Sequence, residues 1–172
     1  MEKVVQPLST EHAAQYRALM LHGYQHEPDA FTAEPGERAG LPLSWWEQRI
    51  GGEQQNTIAF GAFRDGELVG CVALEFSTRP KTRHKAHLIG MYVLDTWRGK
   101  GLGRQLVESA LGYAGQRVGI EVITLTVTKG NTAAIALYEA AGFASFGAEP
   151  MAMRTTEGFK AKVHMWRKVT GR

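Results

Sequence analysis

Apolar and polar positions change period several times along the chain, and each change marks an element. Val4 and Val5, followed by Pro7 and Ser9, predict a short strand, a turn and a helix capped by Ser9 or Thr10. The helix is expected from Glu11 to about Gly23, with Ala14, Arg17, Ala18 and Leu21 along one stripe and Tyr16, Leu19 and Met20 beside it. Residues 26–42 lose all period. They hold three prolines, two glycines and the acids Glu27, Asp29, Glu34 and Glu37, and predict one long loop. Ser44 then heads a short helix, Trp45 to Ile50, closed by Gly51 and Gly52.

Two apolar runs, Thr57–Arg64 and Glu67–Ser77, flank Asp65-Gly66 and predict a hairpin. A third strand is expected from about Lys85 to Leu94. Beyond a glycine-rich turn, Leu102, Leu106, Ala110 and Ala114 recur at helical spacing, with Val107, Leu111 and Val118 widening the stripe. That helix should run from about Gly101 to Val118. Val122–Val127 reads as a β-branched strand, and Asn131 opens an Ala-rich helix to Ala141 that Gly142 stops. Phe143–Phe146 and Val163–Val169 supply two closing strands. The order β-α-α-β-β-β-α-β-α-β-β is mixed α/β around one sheet. With no internal repeat or linker, residues 1–172 are expected to form a single domain.

At 172 residues the chain can bury a substantial core, and 44% hydrophobic with 22% charged residues excludes a disordered class. A net charge of +3 and a pI of about 9.1 suit an anionic cofactor. They are too mild to imply nucleic acid, and the tightest basic cluster, Arg79, Lys81, Arg83 and Lys85, is broken by Pro80 and reads as a solvated hairpin tip. The single cysteine, Cys71, excludes an intramolecular disulfide and fits a reducing compartment. No apolar signal core or bilayer-length run is present, so a cytoplasmic protein without a membrane partner is expected.

The segment Arg98-Gly99-Lys100-Gly101-Leu102-Gly103-Arg104 lies between a predicted strand and a predicted helix. Such a turn leaves backbone N–H groups free at the helix start, its glycines admit a ligand closely, and the helix dipole favours negative charge. Three cationic side chains add to this, and a pyrophosphate is the natural guest. A dinucleotide fingerprint fails because Arg104 stands three residues after Gly101. A Walker loop fails because Leu94 stands five before Gly99, and Gly101 follows Lys100.

Met91-Tyr92-Val93 followed by Arg98 to Gly103 resembles the acetyl-CoA motif of the GNAT superfamily of N-acetyltransferases, R-x-x-G-x-G after a strand. Asn131 to Phe143 resembles that family's N-x-x-A-x-x-L-Y-E-x-x-G-F segment, in the right order and separation. The resemblance runs from about Leu88 to Phe143. It implies a mixed, mostly antiparallel sheet of about six to seven strands, flanked by about four helices, with a splayed strand pair holding the cofactor. It also implies direct transfer of acetyl from acetyl-CoA, without metal, to a primary amine of a small molecule or peptide. A non-catalytic acyl-CoA-binding module of the same fold is the other reading, and homodimers are a habit of the family.

On this resemblance Met91, Tyr92, Val93, Arg98, Gly99, Lys100, Gly101, Leu102, Gly103, Arg104, Asn131 and Ala134 hold the cofactor, with a main-chain N–H near Met91 or Tyr92 as oxyanion donor. Asn131 and Tyr138, seven residues apart, fall on nearly the same helical face, and Tyr138 occupies the general-acid position. His87, six residues before Val93, is the candidate base, with Glu75 second; Cys71 reads as a small buried apolar residue. Tyr24, Phe31, Trp45 and Trp46 with Glu27 and Asp29 fall in the acceptor region, where acids would suit a cationic amine. Glu157-Gly158-Phe159 to Met165 resembles the family's final strand, D-G-x-Y-x-D, but Lys160, Ala161 and Lys162 stand where an acid is common.

Overall fold

Every second residue of the predicted Asp-Gly hairpin is apolar on one face, and the intervening residues are apolar too, so both faces of its strands must be covered. The computed structural model, which describes residues 4–51 and 56–169, shows how. Strands β2 (Thr57–Arg64) and β3 (Glu67–Phe76) form the hairpin. Ile58, Phe60, Val72 and Leu74 enter one core, while Ala59, Cys71 and Ala73 enter a second on the opposite face. Helix α4 (Leu102–Gln116) seals the first through Leu102, Leu106, Val107, Ala110 and Ala114. Helices α1 (Ala13–His26) and α3 (Leu43–Ile50) seal the second with Tyr16, Met20, Tyr24, Trp46 and Ile50.

Strand β1 (Val5–Pro7) pairs with β2, and β4 (Lys85–Val93) follows β3. The remaining strands are β5 (Val122–Thr128), β6 (Ala144–Thr155) and β7 (Gly158–Lys168). The sheet order is β1-β2-β3-β4-β5-β7-β6, and β4–β5 is its parallel pair. With α2 (Pro35–Ala39) and α5 (Thr132–Ala140), the described residues carry five helices around seven strands, a mixed, mostly antiparallel α/β architecture of the kind the motifs imply. No helix among them is long and apolar enough to cross a membrane.

Several expectations shift. The buried residues of α1 are Ala13, Tyr16, Leu19, Met20, Gly23 and Tyr24, so the large side chains expected beside the stripe are the buried ones, whereas Ala14 and Ala18 are exposed. Alanine carries too little area to fix a face, and the large side chains decide it. The loop over 26–42 contains a 3₁₀ turn at Pro28–Ala30 and the short α2, opened by Pro35 and a capping box between Glu34 and Glu37. Pro42, not Ser44, caps α3, and Gly52 of its expected stop lies outside the described residues. Val118 is 91% exposed beyond the end of α4. The closing strands β6 and β7 are far longer than their short apolar runs suggest.

Two features of β4 shape the sheet. It pairs with β5 only at Lys85↔Val122, Ala86↔Ile123 and His87↔Thr124; beyond His87, β4 keeps β3 while β5 continues against β7. Its register against β3 also slips between Ile89↔Ala73 and Tyr92↔Cys71, so Gly90 and Met91 stand against Val72 alone. This is a β-bulge, with Gly90 at φ 63°. The Cys71 thiol donates to the Gly90 carbonyl at 3.3 Å, so the cysteine that reads as inert filler braces the bulge.

A Cβ at Gly90 would meet Tyr16 and Met20 only at ordinary contact distance, so the burden of Gly90→Ala is conformational. The left-handed backbone should cost an L-residue about 1–2 kcal/mol. Urea unfolding should show a lower midpoint at unchanged slope; an unaltered midpoint would mean that the bulge relaxes freely.

Candidate active site

An α-helix leaves its first N–H groups without intrahelical acceptors, and a helix that carries no side-chain cap offers them to whatever lies before it. Helix α4 starts this way. Gly101 is its N-terminal flank at φ 82°, Gly99 sits at φ 75°, and no side chain caps the helix. A Cβ on either glycine would meet no atom within 4 Å. In front of this turn lies a cavity of about 390 Å³. Gly99, Gly101, Leu102, Gly103 and Arg104 form one end of it, and Met91, Tyr92 and Val93 of the bulged strand form its side. Asn131, Ala134 and Leu137 of α5 face that strand, and Glu27 and Ala30 cover the cavity. Close packing is built in at Gly103, where a Cβ would come within 3.1 Å of the Met91 side chain.

The cations around the glycine turn are less free than their sequence suggests. Arg98 lines the cavity but donates to the Val93 carbonyl at 2.9 Å and pairs with Glu27 at 3.0 Å and Asp95 at 2.7 Å. Arg104 pairs with Glu108 at 2.9 Å. Lys100 lies over the Trp97 ring and is not among the lining residues. Backbone amides and the helix end therefore dominate the anion-attracting character of this end.

Asn131 is the N-cap of α5, accepting from the Ala134 N–H at 3.3 Å, and both residues line the cavity. Tyr138 does not line it. Its ring is buried against Phe143 in the α4-side core, and burial raises its phenol well above the ordinary tyrosine range.

His87 belongs to a second cavity of about 190 Å³, on the far side of the bulge. Leu88, Ile89 and Gly90 continue its wall, Thr126, Thr128 and Lys162 form the opposite one, and Tyr24, Phe31, Arg38 and Arg49 close it. Ala30 lines both cavities, so the two meet where β4 bulges. His87 Nδ1 shares a hydrogen bond with the Thr124 hydroxyl at 2.9 Å. Burial pushes the imidazole below its ordinary value; Glu75, its partner on β3, opposes this, and His164, Lys85 and Lys162 reinforce it. Glu75 itself is exposed beside His87 on the same face of the sheet, and with it lines a neighbouring pocket rather than this cavity.

The acceptor-region expectations divide. Tyr24 and Phe31 line the second cavity, but Trp46 is fully buried core and Trp45 lies beneath guanidinium groups. Glu27 turns to the first cavity, and Asp29 is held by Lys160 at 2.7 Å, so neither faces an acceptor here. Sequence reasoning missed Arg38, Arg49 and Thr126, which come from three elements and share no motif.

A sheet parted beside a bulged strand, with a glycine-led helix end at the mouth of the gap, defines the architecture of the acetyl-CoA-dependent acyltransferases. Residues 20–143 match the sequence profile of the Acetyltransferase (GNAT) family, and the chain belongs to that family. A GNAT-family acetyltransferase from Streptococcus pneumoniae superposes with a TM-score of 0.84 at 24% identity, over 96% of this chain and 98% of that one. A Salmonella typhimurium protein solved with acetyl-CoA gives a TM-score of 0.81 at 19% identity, over 100% and 96% of the two chains. The mycothiol acetyltransferase of Salinispora tropica is 35% identical over 83 residues, 48% of this chain and 27% of that protein. The match thus spans about a quarter of that relative's length.

Because the folded protein disfavours His87 protonation, the histidine's contribution to stability should be complete above about pH 6.5 and lost as pH falls through its lower folded midpoint. NMR titration of the imidazole should place that midpoint below 6.5, and His87→Gln should flatten the acid limb of the stability profile. A midpoint at or above the ordinary value would contradict the burial of this side chain.

Proposed function

We propose that the protein, acting as one acyltransferase domain, moves an acetyl group from acetyl-CoA to a primary amine of a small molecule or peptide by direct transfer. One observation carries this reading: the uncapped start of α4 opens into a cavity that runs along β4 to its bulge. The fit supports the coenzyme. Phosphates suit the amides from Gly99 to Arg104, and an extended thiol-bearing arm suits the groove between Met91–Val93 and Asn131–Leu137. When bound, acetyl-CoA supplies an acetyl group activated as a thioester.

The chain's own groups then divide the work. A main-chain N–H near Met91 or Tyr92 donates to the carbonyl oxygen as negative charge collects there. His87, kept neutral by burial and hydrogen-bonded through Nδ1, accepts at Nε2 the proton that the amine gives up, directly or through water. Tyr138, whose raised pKa keeps its phenol protonated, is assigned as proton donor to the departing sulfur; because its ring stands outside the cavity, it must turn toward the groove to reach it. The amine nitrogen bonds to the acetyl carbon as the carbon–sulfur bond breaks; one proton leaves nitrogen and one reaches sulfur. The single buried cysteine, its thiol pushed up to about 12, takes no part and suits a reducing cytoplasm.

Acetyl-CoA should raise the melting temperature of the wild-type protein, and Gly101→Val should abolish the rise, because its side chain would enter the cavity and the residue cannot hold the left-handed turn. Absence of any shift at saturating acetyl-CoA would sink the reading. Tyr138→Phe should slow thiol release roughly tenfold or more with little change in cofactor affinity. Equal losses in both would assign Tyr138 to packing. A wild-type protein that binds acetyl-CoA yet releases no thiol with any amine or peptide would be a binding module instead.

A further inference from the structure

The second cavity has an imbalance of charge. Arg38 from α2, Arg49 from α3 and Lys162 from β7 all line it, and no carboxylate does among the described residues. The acids of the neighbouring loop are committed elsewhere: Glu27 to Arg98, Asp29 to Lys160, and Glu34 and Glu37 to the capping box of α2. Both guanidinium groups rest on the Trp45 ring, Arg38 at 5.1 Å and Arg49 at 5.2 Å from its centroid. One aromatic ring therefore holds two like charges close to it. Arg38 donates to the Tyr24 hydroxyl at 2.5 Å, and Lys162 to the Thr32 hydroxyl, so their polar partners are neutral. The Nε of Arg49 is buried without a hydrogen-bond partner. Partly desolvated cations held together without a counter-charge attract an anion strongly, and guanidinium forks suit the paired oxygens of an oxyacid.

We infer that the acceptor amine carries an oxyacid group, a carboxylate or phosphonate, which Arg38 and Arg49 bind with Lys162 beside it. The inference rests on the acetyltransferase reading, since it assigns this cavity to the acceptor. The anion sits against α2 and α3, and the amine then lies beside Leu88–Gly90, between His87 and the bulge. The acids that the sequence offered for a cationic substrate leave this role to their opposites.

The test titrates CoA-saturated protein by calorimetry with three matched amine pairs: L-methionine and L-methioninamide, L-phenylalanine and L-phenylalaninamide, 2-aminoethylphosphonate and ethanolamine. In at least one pair the acid should bind tenfold or more tightly than its neutral partner, and thiol release from acetyl-CoA should show the same preference. Arg38→Gln should bring that ratio close to one while leaving the thermal gain with acetyl-CoA intact, since Arg38 does not line the cofactor cavity. Lys162→Gln, on a strand, is the second variant if Arg38→Gln melts early. Equal affinity within every pair, or no binding of any acid, overturns the inference. Loss of the acetyl-CoA thermal gain in the wild-type protein would instead overturn the acetyltransferase reading itself.

Discussion

Where β4 and β5 part after His87, two facing strand edges lose each other as hydrogen-bond partners, and the molecule is arranged around that loss. A sheet ordinarily closes such a gap, because unpaired backbone groups in the interior are costly. Here the two half-sheets diverge: β4 stays with β3, β5 goes with β7, and α5 lies across the opening on one side. The loop between α1 and α3 covers the other side. Both cavities are what remains between these covers. The glycine turn matters because it ends at this opening, with a helix terminus aimed along it.

The bulge at Gly90 gives the gap its direction. Two residues of β4 standing against Val72 turn the strand locally, and the cavity that it lines changes there. Residues up to Gly90 face the cavity with His87, and residues from Met91 onward face the one with Asn131. His87 and the Met91–Val93 wall of the first cavity thus sit on one short strand without competing for the same space. The buried thiol of Cys71, bonded to the Gly90 carbonyl, satisfies the group that the bulge turns aside.

How much of this is legible in the sequence depends on how local the signal is. The glycine turn, the Asn131–Phe143 segment and the Asp-Gly hairpin are each contiguous in the chain, the hairpin over Thr57–Phe76, and each appears at its expected place. The fold class follows from their order. The burial stripe of α1 is poorly marked because its alanines carry weak information. Strands β6 and β7 are announced by Phe143–Phe146 and Val163–Val169, but their full length is not: β6 is mostly exposed and carries Pro150, and β7 is mostly half-buried, so no clear apolar alternation marks the added residues. The lining of the second cavity lies beyond any local reading: Arg38, Arg49 and Lys162 meet only after α2, α3 and β7 are packed together. The opposition of His87 to Glu75 and Thr124 is likewise a product of strand register.

The turn at Pro28–Ala30 is small, yet it reaches across the parting. Its Asp29 carbonyl accepts from the Thr128 hydroxyl at 2.6 Å, and its carboxylate holds Lys160 on β7, so a segment leaving α1 is moored to the opposite half-sheet. Ala30, next in the chain, is wall to both chambers. That makes the mooring a common partition: a change in its length would reshape both chambers in concert, whereas α2 or α4 borders one of them alone.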